Sequence, residues 1–77
     1  MRWDETKTIA RMTPRELDVF TSMVHGKRNK QIAHDLGVSE RTVKAHRARV
    51  MSKLGVGSLA EAVVIAERSG LIRRPEA

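Results

Sequence analysis

The sequence predicts an all-α domain of four short helices, on three observations. Helix-start residues recur at Thr13, Asn29, Ser39 and Ser58, and glycines that can close a helix follow at positions 26, 37, 55 and 70. Between these marks the apolar residues recur at three- and four-residue spacing, the period of one helical face. Only two aromatic residues, Trp3 and Phe20, occur among 77, which leaves the core to Leu, Ile, Val, Met and Ala. A chain of this length makes one modest core and has no room for a sizeable active-site cavity.

Residues 1–12 are polar and mixed in charge, with Trp3 and Ile9 as isolated apolar positions, and read as a linker or N-terminal arm. Trp3 docks either on the domain or on something outside it. Thr13-Pro14-Arg15-Glu16 combines an N-cap hydroxyl, a proline at the first helical position and a glutamate that completes a capping box. The first helix should run from there to about His25, with Val19, Phe20, Met23 and Val24 on its apolar side and Met12 just ahead of the cap. Lys27-Arg28-Asn29 is a basic connection, with Asn29 as the expected cap of a second helix over residues 30–36 that turns Ile32, Ala33 and Leu36 inward. Gly37-Val38 leads into the third helix, from Ser39 to Leu54. Two helices that cross steeply need a small residue at closest approach and a turn residue tolerant of positive φ. Ala33, Gly37 and Val43 occupy those places at helix-turn-helix spacing. Ser58-Leu59-Ala60-Glu61 then opens a fourth helix to about Ser69, with Leu59, Ala62, Val63 and Ala66 as its core stripe. Ala60, Val64 and Glu67 form a second, rather apolar side that suits a dimer seam; alternatively Val64 and Ile65 extend the core. Residues 13–72 make the domain and 73–77 a tail.

The third helix carries the functional signal. On a helical wheel Val43, Val50 and Leu54 make a narrow inward stripe, flanked by His46 and Arg47. Arg41, Lys44, Ala45, Ala48 and Ser52 lie opposite, with Arg49 at the margin and Lys53 near the end, and Glu40 is the helix's single acid. An ordinary solvated helix would mix in acids for i,i+4 pairing. The net charge of +6 is concentrated here: residues 27–53 hold eight Lys or Arg against two acids, and the remaining residues balance. A localised cationic excess is the footprint of polyanion binding, and the DNA major groove admits a single helix.

Other classes lack their required residues. Without cysteine there are no disulfides or thiolate zinc sites. His25, His34 and His46 share no metal-ligand spacing on one face, and no phosphate loop or nucleophile-base set can be assembled, so no enzyme, metal or cofactor is expected. His46 reads as a residue at the core's edge and His34 as solvated. The longest apolar run, Ala62 to Ala66, cannot span a bilayer, and the first twelve residues lack a signal-peptide centre. With the apolar faces used in packing, no membrane partner is expected, and a cytoplasmic protein is.

Taken together, Thr13-Pro14-Arg15-Glu16, Gly26, Asn29-Lys30-Gln31-Ile32-Ala33, Leu36, Val38-Ser39, Thr42-Val43-Lys44, His46, Lys53-Leu54-Gly55-Val56 and Glu61-Ala62-Val63 resemble the LuxR-type helix-turn-helix DNA-binding domain. That domain also closes response regulators of the FixJ and NarL type, and Arg47-Ala48 before Val50-Met51 looks more like the FixJ branch. The resemblance spans roughly residues 12–71 and implies four helices, the third reading the major groove and the fourth mediating dimerisation in many members. It implies a role in regulating transcription on double-stranded DNA, with RNA polymerase among the candidate partners. The family's base-reading places fall on Lys44, Ala45 and Ala48, in agreement with the wheel. Ala48 departs from members with a longer polar residue there, which restricts it to apolar contact such as a thymine methyl. Lys44 becomes the main candidate for guanine O6 or N7, helped by Arg41 and Arg49; Asn29, Lys30, Thr42 and Lys53, at helix ends or flanks, suit phosphates. Two other readings share some of these features: a sigma-factor promoter-recognition module, and a protein-interaction module that lays the basic helix on an acidic partner. The chain has no space for a receiver or ligand-sensing domain, and its linker-like start fits a fragment of a longer regulator.

Overall fold

The computed structural model describes residues 5–72, which form five helices: α1 (Glu5–Ala10), α2 (Pro14–Val24), α3 (Asn29–Leu36), α4 (Glu40–Leu54) and α5 (Leu59–Arg68). The four expected helices are α2 to α5, so the third, basic helix is α4. α2 packs against α3, α4 and α5, and α4 packs in addition on α3 and α1. Phe20, Met23, Ile32, Val19, Val43 and Val50 are fully buried where these helices meet, which makes α2 the support on which α4 rests. Ile9, Leu17, Leu36, Met51, Val63 and Ile72 cover the edges of that core. No described helix is long and apolar enough to cross a membrane.

The start signals work by the expected chemistry, with two changes of partner. Thr13 Oγ1 accepts from Glu16 N at 3.1 Å while Glu16 Oε1 accepts from Thr13 N at 2.9 Å, the reciprocal capping box. Ser39 Oγ accepts from Thr42 N, and Ser58 Oγ from Glu61 N. The Glu61 carboxylate, however, takes the amide of Gly57 at 2.8 Å, one residue ahead of the cap. Asn29 is not the cap of α3: it is the first helical residue, Arg28 holds the cap position, and Gln31 Oε1 accepts from Arg28 N at 3.0 Å. A glutamine three residues on supplies the capping acceptor, which frees the Asn29 amide for another partner.

Two further expectations change. Leu59 is 39 % exposed and Ile65 is buried beside Ala62 and Ala66, so the core stripe of α5 is 62, 65, 66. Leu59 shares that face by spacing but opens the helix, where solvent still reaches it. Val64 stays outside at 48 % exposure, so of Val64 and Ile65 only Ile65 extends the core. Within the segment read as a linker or arm, Glu5–Ala10 is helical, with Ile9 packed on the core's edge and Glu5 paired with Arg68 of α5. Six residues are too few to display a helical period, and this turn is held by tertiary contacts. The expectations for Trp3 and for residues 73–77 lie outside the described residues.

Candidate nucleic-acid interface

α4 is the element that the fold holds outward. Its fifteen residues span about 22 Å at 1.5 Å per residue. Val43, Val50 and Leu54 are buried against the support, whereas Arg41, Lys44, Ala45, Ala48, Arg49, Ser52 and Lys53 are exposed. Thr42, His46 and Arg47 sit half-buried along the flanks. The crossing with α3 depends on Gly37, whose φ of +67° closes α3 in the left-handed region and lets Val38 N donate back to Ala33 O at 3.0 Å. Gly55 repeats this at the end of α4, with φ +68° and a bond from Val56 N to Met51 O. Both ends of the basic helix are thereby fixed relative to the core.

The cations divide into two groups. Lys27 Nζ lies 2.7 Å from Asp35 Oδ2, and its ammonium holds that carboxyl below its ordinary pKa. Lys53 Nζ lies 2.6 Å from Glu16 Oε1, and Arg47 Nη1 donates to Asn29 Oδ1 at 2.8 Å. The hydrogen bond from Lys53, and next the one from the Thr13 amide, hold the Glu16 carboxyl below its usual value. Arg28, Lys30, Arg41, Lys44 and Arg49 are in no ion pair among the described residues, and all five are exposed. Unneutralised Arg41, Lys44 and Arg49 on the exposed side of α4, with Ala45 and Ala48 keeping the relief low between them, suit close approach to an anionic groove.

Lys44, Ala45, Ala48, Arg41 and Arg49 thus share the outward side of one helix. Lys30 is exposed and Asn29 half-buried at the start of α3; the Thr42 hydroxyl lies 2.9 Å from Ser39 Oγ within the cap of α4. Lys53, at the far end, has one of its three N–H donors committed to Glu16. On α5, Ala60 and Val64 are exposed and Glu67 is half-buried. Sequence reasoning missed the two tethers of α4, Lys53 to Glu16 and Arg47 to Asn29. They join residues 37 and 18 positions apart, beyond any local pattern. The one available signal for the first was a capping glutamate, whose Oε1 keeps a second lone pair after it accepts from the Thr13 amide.

A basic helix presented by a support helix, and joined to a shorter partner through a glycine turn, defines a helix-turn-helix DNA-binding domain of the transcription-regulator class. Residues 10–66 match the family described as bacterial regulatory proteins, luxR family, and the chain belongs to that family. It is 46 % identical over 65 residues to the transcriptional regulatory protein FixJ of Azorhizobium caulinodans, a match covering 84 % of this chain and 31 % of that protein. The transcriptional regulatory protein YdfI of Bacillus subtilis is 39 % identical over 71 residues, covering 92 % of this chain and 33 % of that one. In three dimensions the fold resembles full-length FixJ of B. japonicum with a TM-score of 0.80 at 37 % identity, over 87 % of this chain and 33 % of that one. The response regulator StyR gives the same score at 42 % identity, over 83 % and 32 %. The chain therefore spans about a third of the length of the relatives it matches. The luxR-family match and the transcriptional regulatory relatives support DNA binding for transcription regulation as the work of this domain.

Proposed function

We propose that the chain is the DNA-reading output domain of a two-component response regulator, with α4 lying in the major groove. Lys44 donates to a guanine edge with Arg41 and Arg49 beside it, while Ala45 and Ala48 make apolar contacts; Asn29, Lys30, Thr42 and the remaining donors of Lys53 hold phosphates. Two copies join through Ala60, Val64 and Glu67 and occupy half-sites about 10 bp apart. RNA polymerase is the partner through which bound protein alters transcription, and the cytoplasm is where it acts. The observation that carries this reading is the outward row of unpaired cations on α4. Selection from a random duplex library tests it, followed by titration of the recovered site between 50 and 200 mM salt. If a bound dimer neutralises roughly 6 to 10 phosphates, affinity falls by about 10³ to 10⁵ over that range. A complex indifferent to salt contradicts the reading, and a requirement for core RNA polymerase would favour a sigma-type module instead.

A further inference from the structure

The Arg47–Asn29 bond has a consequence for DNA binding. A guanidinium carries five N–H donors and no acceptor, so the side of the Asn29 amide that faces Arg47 is its oxygen. The NH2 group then points away from Arg47. Asn29 is only half-buried, and its Nδ2 is not sealed from solvent, since His46 Nδ1 is the single buried side-chain polar atom without a partner among the described residues. The amide sits on the first residue of α3, where the backbone N–H groups of a helix start have no intrahelical acceptor and favour an anion. Exposed Lys30 is the next residue.

We infer that Arg47 is a positioning residue: it stays off the DNA, locks the Asn29 amide in one orientation, and so aims the Nδ2–H donors at a backbone phosphate. The inference rests on the proposed DNA-binding reading and assigns to a half-buried cation of α4 a task different from that of its exposed neighbours. It also couples the two helices of the motif, because the bond spans from the body of α4 to the start of α3. A protein whose α4 shifts relative to α3 loses this phosphate contact together with the base contacts.

The decisive variant is Asn29→Asp. Aspartate keeps an oxygen for Arg47 and suits the first turn of a helix, so the fold is retained, but its second oxygen replaces the NH2 and opposes a phosphate. With the 77-residue chain and its selected duplex, Asn29→Asp is expected to lower affinity at least roughly ten- to a hundredfold while the melting temperature is unchanged or raised. A double-mutant cycle supplies the second measurement. Asn29→Ala and Arg47→Met should each weaken binding, and Arg47→Met should add little once Asn29 is alanine. Undiminished affinity of Asn29→Asp overturns the inference, and so do fully additive losses, which would put Arg47 itself on the DNA. Failure of the wild-type chain to bind any duplex at low salt would instead remove the DNA-binding reading beneath it.

Discussion

Replacing Lys53 by Met isolates the ion pair that ties the end of α4 to the start of α2. Methionine keeps most of the apolar stem, so the change removes an ammonium and little packing. In the native protein Glu16 is 4 % exposed, and its Oε1 accepts from the Thr13 amide at 2.9 Å and from Lys53 Nζ at 2.6 Å. Without the ammonium, a buried carboxylate is left with the Thr13 capping contacts alone. Breaking a fully buried pair costs about 3–5 kcal/mol, but the Lys53 side chain is 41 % exposed and water screens part of the attraction. Exposed pairs contribute about 0–1 kcal/mol, which places the expected loss between the two limits, roughly 2 kcal/mol at pH 7. In a domain of this size that corresponds to roughly 8–16 °C in melting temperature.

The same pair fixes the sign of a pH effect. The native Glu16 carboxyl titrates below its ordinary 4.5, first because of the hydrogen bond from Lys53 and then because of the Thr13 amide. Its contribution to stability is complete above the unfolded-state value and fades as pH falls through the lower native one. In Lys53→Met the larger cause is gone, so less of that contribution remains to be lost. The gap between the two proteins should therefore be widest at neutral pH and close on acidification below 4.5. Urea titrations followed by far-UV circular dichroism at pH 7 and near pH 3 measure it. A gap below about 0.5 kcal/mol at pH 7, the scatter of neutral surface substitutions, would refute the reasoning. So would a gap that persists unchanged in acid.

Lys44→Ala should cost about 1–3 kcal/mol at one base pair and relax preference there, whereas Lys30→Ala should weaken all duplexes alike. Selections on both variants read this directly, and equal losses on every sequence would move Lys44 to the backbone. Gly37→Ala should destabilise by roughly 1–2 kcal/mol in thermal unfolding, with Asn better tolerated, because a Cβ there meets no atom within 4 Å and only the φ of +67° opposes it. An alanine variant as stable as wild type would show the turn to be less constrained than its geometry requires. Val64→Asp should leave the fold intact, since the side chain is already 48 % exposed, and should weaken binding to a two-half-site duplex far more than to a single half-site. Equal effects on both duplexes would place the dimer seam elsewhere.

Much of the fold was legible because its signals are local. Thr13-Pro14-Arg15-Glu16 states a helix start in four consecutive residues, and the period of Val43, Val50 and Leu54 declares which side of α4 is buried. The outward side follows by subtraction, and Lys44, Ala45 and Ala48 are exposed on it. Where two local signals compete, the sequence is silent. Residue type favours Asn29 as the cap, but Gln31 reaches the Arg28 amide and starts the helix one residue earlier. Leu59 and Ile65 are alike in hydrophobicity, and the point at which α5 meets α2 decided which was covered. α1 was hidden for a related reason, since its helix rests on Ile9 packing and an ion pair with Arg68, 63 residues away.

By itself, the amino-acid order settled how many helices the described domain builds beyond its first turn, which faces α2, α3 and α4 bury, and where the positive charge collects. These depend on neighbours within a few residues, and periodicity and composition record them. Only the tertiary structure decided which cations remain available. Lys27, Lys53 and Arg47 look equivalent to Arg41 and Lys44 in a list of charges, yet each is held by a partner at hydrogen-bond distance, with Asp35, Glu16 and Asn29 brought there by chain folding. Electrostatic pairing falls off over a few ångströms of space and takes no account of separation along the chain, which is why this division could not be read from order alone.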